Sequence, residues 1–126
     1  MEDPSKSQQP QPPEEEFTAD YANNVFFSPT VWDLKIVFGE LSAVKQAVDW
    51  HTSITLPWAQ AKLMAYYLEV NIAAREMREG RIKIPEMMLP PEPPPPPPES
   101  EKDYAASKAL FDMIKERRTK FIENQK

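Results

Sequence analysis

Apolar positions recur along this chain with more than one rhythm. From Trp32 to Phe38 they come every second residue. Trp32, Leu34, Ile36 and Phe38 alternate with Asp33 and Lys35, and Val37 is the one apolar residue on the other face. Period two sends successive side chains to opposite faces of an extended backbone, so this stretch predicts a half-buried strand, closed by Gly39. The period returns at Val48, Trp50, Thr52, Ile54 and Leu56, set against Asp49, His51, Ser53 and Thr55. A shorter run, Ala22 to Phe27, precedes Ser28-Pro29-Thr30, a turn signal because proline fixes φ and cannot donate to a ladder. The first two strands then form an antiparallel hairpin. Residues 40–47 fit either a helical turn or a loop. The expectation is three strands with one apolar and one polar face.

At Pro57 the rhythm changes. Trp58 to Glu79 contain strong helix formers and no proline or glycine, Pro57 suits the first turn, and Gly80 suits the left-handed position after the end. Leu63, Tyr67, Val70, Ala74 and Met77 recur at helical spacing, widened by Met64, Leu68 and Ile72, which predicts a helix laid over the sheet. Asn71 lies within that apolar sector, where a satisfied buried amide is expected. Beyond Gly80, Arg81 to Pro85 alternates briefly as an edge strand would, and Met87-Met88-Leu89 should tuck against the domain.

Next comes Pro90-Pro91-Glu92 and the unbroken run Pro93 to Pro98. Polyproline II geometry gives a rod on the order of 28 Å from Pro90 to Pro98. It is read as a linker over 90–99, a stiff spacer holding the last helix away from the core, in preference to a ligand for an aromatic groove. Ser100 and Asp103 make an S-x-x-D start, and residues 100–126 read as an amphipathic docking helix. Its apolar stripe includes Ala106, with Phe111 just off it, and the candidate interaction surface is Leu110, Met113, Ile114, Arg117 and Phe121. Glu101 and Asp103 at its start, and Lys115, Arg117, Arg118 and Lys120 near its end, complement the helix dipole.

Composition narrows what such a chain can do. It has 126 residues, of which 15 are proline and two are glycine. Residues 1–18 are proline- and glutamine-rich and read as a disordered tail. The folding unit over 19–89 is a β-β-β-α domain small enough to make help from a second chain common. The fold class is α+β: a three-stranded, mostly antiparallel sheet covered by one long helix, plus a C-terminal helix. No cysteine is present, so disulfides and thiolate metal sites are excluded. The single histidine, His51, rules out a His-rich metal site, although one would suffice for a Ser-His-Asp triad. Its expected place is the solvated polar face. No cofactor or metal site is expected. No apolar run approaches the ~20 residues needed to span a bilayer. The start, Met1-Glu2-Asp3-Pro4, lacks the basic and apolar regions of a signal peptide, so a cytoplasmic location is the expectation.

Tyr21-Ala22-Asn23, the hairpin around Ser28-Pro29, the strand through Leu34 and Phe38, and Leu56-Pro57-Trp58-Ala59-Gln60-Ala61-Lys62-Leu63 together resemble the DUF3467-type family of small bacterial and archaeal proteins. Asn71-Ile72, Gly80 and Ile82-Lys83-Ile84-Pro85 extend the resemblance, which covers about residues 19–90. It implies a compact strand-strand-strand-helix unit, dimeric, with no assigned activity and no functional residue to carry over.

Three functions compete for such a chain. A non-catalytic structural or interaction module, a homodimeric scaffold or adaptor with a tethered docking helix, follows from the edges and flank that a small sheet must protect. Its partners would be a second copy, and a protein for the C-terminal helix or the polyproline run. The alternative is a small dimeric nucleic-acid-binding or regulatory protein, using Lys35, Lys45, Lys62, Arg75, Arg78, Arg81 and Lys83, with Trp50, Trp58, Tyr66 and Tyr67 stacking on bases. A net charge of −5 and the core periodicity of those aromatics disfavour it. Catalysis would need a pair such as Asp33 and Asp49 inside a cleft, which an open sheet face does not offer. A non-enzyme is the expectation.

Overall fold

The computed structural model describes residue 11 and residues 19–125. The tail read over 1–18 lies, Gln11 apart, outside them. The elements are β1 (Asn24–Pro29), β2 (Asp33–Ser42), β3 (Ala47–Pro57), α1 (Trp58–Glu79), a 3-10 turn at Glu86–Met88, and α2 (Tyr104–Glu123). The strands form one antiparallel sheet in the order β1-β2-β3. The architecture is thus the α+β order of a three-stranded sheet, a long helix and a C-terminal helix. The chain divides into two compact units, Met1–Val70 and Asn71–Lys126, and the boundary falls within α1.

Ser28 and Pro29 belong to β1, and the turn sits one step later. Thr30 closes it. Its hydroxyl accepts from the amides of Trp32 (3.1 Å) and Asp33 (3.0 Å) and donates to the Asp33 carboxylate at 2.9 Å. Pro29 is tolerated because β1 is an edge strand. Trp32 stands in this turn, 83% exposed, and not in the strand pattern. Gly39 does not close β2 but lies in its middle. The 40–47 segment resolves into the end of β2, a turn, and the start of β3. The turn ends on Gln46, at φ 52°, whose amide donates to the Ser42 carbonyl at 2.8 Å.

Register overturns the expectation of one apolar face. Phe38 pairs with Thr52, but Gly39 pairs with Trp50, so His51 is an extra residue in β3, a β-bulge. Directly paired residues of antiparallel strands share a face. On one face lie Val25, Phe27, Leu34, Ile36, Phe38, Thr52, Ile54 and Leu56. On the other lie Phe26, Val37, Gly39, Leu41, Val48 and Trp50. The rings of Phe26 and Trp50 meet edge to face there, centroids 6.4 Å apart. Trp50 and Ile54, expected on one side, are therefore on opposite sides. Gly39 permits this, because a Cβ at that position would stand 2.6 Å from Val48 Cγ1 and 2.7 Å from Trp50 Cε3.

The helix is where the pattern placed it, with Gly80 in the left-handed region at φ 91°. It does not roof the sheet. Ile36 (2% exposed) and Ala61 (9%) are the buried apolar core among the described residues. No residue separates β3 from α1, whereas strand-to-helix connections that fold back ordinarily use two to six residues, roughly. Trp58 Nε1 donates to the Thr30 carbonyl at 2.9 Å and ties this junction to the β1–β2 turn. Farther along, Asn71 is exposed, not buried, and residues 81–85 form no strand. Met87 and Met88 are exposed instead of tucked in.

Candidate functional site

The bulge moves His51 off the polar face. It joins Asp20, Ala22, Phe38, Thr52 and Ile54 around a shallow cavity of about 200 Å³. His51 Nε2 lies 2.9 Å from the Tyr21 carbonyl, so that nitrogen carries a proton and donates. Nδ1 lies 2.7 Å from Thr52 Oγ1, which is also 3.2 Å from Asp20 Oδ2. A partner carboxylate for the histidine, which the sequence did not reveal, is thus Asp20, reached through a hydroxyl. The order is wrong for nucleophilic catalysis, which sets the histidine between hydroxyl and carboxylate and leaves the hydroxyl free to attack. Here the hydroxyl sits in the middle, held from both sides.

What the arrangement does is fasten residues 20–23 across the sheet. Asn23 extends it, its amide donating to the Gly39 carbonyl at 3.0 Å and its Oδ1 accepting from the Leu41 amide at 2.8 Å. The other acidic pair considered, Asp33 and Asp49, is not brought together. Asp33 pairs with Pro57 and Asp49 with Glu40, near opposite ends of the ladder. Among the described residues no group of three His, Cys, Asp or Glu side chains is placed to hold a metal.

In the second unit the proline run lies along α2. Pro93 to Pro97 and the side chains of Ser107, Leu110, Phe111 and Ile114 line one groove of about 170 Å³. Those four helix positions follow the i, i+3, i+4, i+7 spacing of a single face. Pro90, Pro93, Pro96 and Pro97 are half-buried, and the first three fall at intervals of three, the turn length of a polyproline rod. Arg118 fastens the far end, Nε donating to the Pro90 carbonyl at 3.0 Å with Nη1 4.0 Å from Glu92 Oε1. Nine residues in polyproline geometry would cover about 28 Å, against about 22 Å for the helix from Tyr104 to Arg118.

The five positions expected to form an interaction surface therefore divide. Leu110 and Ile114 face the prolines, whereas Met113, Arg117 and Phe121 stand outside that groove. Ser107, Phe111 and Arg118 were not among the expected residues; the spacing of Ser107 and Phe111 around Leu110 was the available signal. The helix begins at Tyr104 after Asp103, with no side-chain cap bond, so the Ser100-Asp103 start is not used as a cap. Lys108 Nζ lies 2.6 Å from Asp112 Oδ1, and this hydrogen bond, helped by the carboxylate's charge, raises the lysine above its ordinary pKa.

Many large apolar side chains stand exposed. Val25, Phe26, Phe27, Leu41, Trp50 and Ile54 stand about half exposed on the two faces of the sheet. Along α1, Leu63, Tyr66, Leu68, Val70 and Ile72 do the same. No helix among the described residues is long and apolar enough to cross a membrane. The family model described as a protein of unknown function, DUF3467, matches residues 1–84, which take in the sheet and α1 and stop short of the proline run. No curated protein and no solved structure matches the chain.

Proposed function

Because the chain belongs to the DUF3467 family, a family of unknown function, we propose that it is a non-catalytic interaction module of the cytoplasm that works as a homodimer and carries the proline-backed α2 as a docking arm. The observation behind this reading is the exposed apolar surface. Burying such side chains is worth about 25 cal/mol per Å², and a unit whose apolar core is Ile36 and Ala61 leaves most of that free energy unrealised. A second copy supplies the missing cover at no cost in new sequence, and two-fold association is the commonest closed arrangement. The arm has its own support in the prolines, which leaves Met113, Arg117 and Phe121 available to a protein partner, and dimerisation would present two arms together and raise avidity. The histidine clasp holds chain segments together and has no free nucleophile, which favours binding over catalysis. Sedimentation of the full chain at tens of micromolar should give the mass of two copies. A single-copy mass at that concentration overturns the reading.

A further inference from the structure

One strip of α1 changes character along its length. Ala61 is buried and Met64 half-buried, but Leu68 is 53% exposed and Ile72 48% exposed, although all four share a face at i, i+3, i+7 and i+11. A helix packed along its own sheet would keep that strip covered to its end. Here the cover stops after about the second turn. The junction explains why: β3 passes into α1 with no intervening residue, and Trp58 is pinned to the β1–β2 turn, so the helix has no hinge on which to fold back. The sheet has the matching deficit. Val25, Phe27 and Ile54 stand half exposed around Ile36 on the face that lacks a roof. One chain thus carries an apolar strip and an apolar face that its own connectivity keeps apart.

We propose that the two surfaces meet between copies: α1 of one copy lays Leu68 and Ile72 on Val25, Phe27 and Ile54 of a second copy, and the exchange is reciprocal about a two-fold axis. This rests on the dimeric reading and specifies its interface. The area is sufficient. Half-exposed large side chains leave on the order of 100 Å² each in water. Val25, Phe27, Ile54, Leu68 and Ile72 together offer roughly 500 Å² per copy, or about 1,000 Å² over the two copies, the size at which an interface becomes specific and stable.

The absence of native cysteine makes the test direct. Two single variants of the full chain, Ile54→Cys with an affinity tag and Leu68→Cys without one, are mixed, equilibrated and treated with a short bis-maleimide. The expected product is the mixed adduct joining tagged to untagged chains, well above adducts between like chains. Sedimentation of each variant runs alongside. If both remain dimeric but the adducts join tagged chains to each other, or untagged chains to each other, the exchange is wrong and the dimer stands. If the chain is monomeric throughout, the dimeric reading fails and takes the exchange with it. A double variant Ile54→Cys/Leu68→Cys that closes within one chain at high dilution also overturns the proposal.

Discussion

Replacing Gly39 by alanine tests the bulge and the crossing of Trp50 together. The added Cβ would lie 2.6 Å from Val48 Cγ1, 2.7 Å from Trp50 Cε3 and 2.9 Å from the Asp49 carbonyl oxygen. Two of these neighbours are side-chain atoms that can shift. The third is backbone held in the β2–β3 ladder beside the Glu40–Asp49 pair, and it cannot retreat without loosening that pair. Overpacking of this kind costs about 1–3 kcal/mol, and alanine recovers about 0.5–1 kcal/mol because glycine loses more backbone entropy on folding. A net loss of about 1–2 kcal/mol follows. With a urea dependence of about 1–3 kcal/mol per molar, the unfolding midpoint should fall by about 0.3–2 M. The assay is urea unfolding at fixed chain concentration, since association would shift the midpoint by mass action. Adding Val48→Ala should restore part of the loss, because the carbonyl contact remains. An unchanged midpoint for Gly39→Ala, or full recovery in the double variant, would refute the close approach and with it the placing of Trp50.

Other outcomes are expected. Gln46→Gly should stabilise, since a side chain in the left-handed region costs about 1–2 kcal/mol and glycine returns only about half of that; a thermal midpoint raised by roughly 2–8 °C is the check. Replacing Pro93–Pro97 with alternating glycine and serine should lower the helical circular dichroism towards that of α1 alone, because a lone 20-residue helix is marginal in water; an undiminished signal would mean the prolines do not support α2. Lys108 is raised by its hydrogen bond to Asp112, so that pair's contribution is complete below the ordinary lysine pKa of about 10.4 and is lost as pH rises through the raised value. The difference in helix signal between the native chain and Asp112→Asn should therefore persist at neutral pH and vanish in strong alkali.

The strand order and the span of α1 were legible because each rests on local signals: period two, Pro57, Gly80 and an uninterrupted run of helix formers. The bulge was not. Val48, Trp50, Thr52, Ile54 and Leu56 alternate without a break, and the residue that splits them, His51, is extra only relative to its partner strand. A faint sign existed in the consecutive apolar residues Ile36-Val37-Phe38 next to a glycine, which serve both faces where the apolar side changes over. The failure of α1 to roof its sheet was hidden for a similar reason. An apolar stripe says that a helix needs cover, and the missing loop between Pro57 and Trp58 decides that its own strands do not provide it. Two of the five residues of the expected surface on α2 went to the prolines because the run lies along the helix, a relation between segments and not a property of either.

The crossing at Gly39 also bears on crowding. Below it the oily side of the strands looks mainly one way, and from Gly39 onward, at Trp50, Leu41 and Val48, it looks the other. A neighbour laid against Ile54 dries one half and leaves the other wet. Even a fully satisfied pair of copies would keep a second, outward-looking adhesive zone at each end, and whether that zone is answered by a different molecule or by more of the same decides between a closed particle and a growing stack.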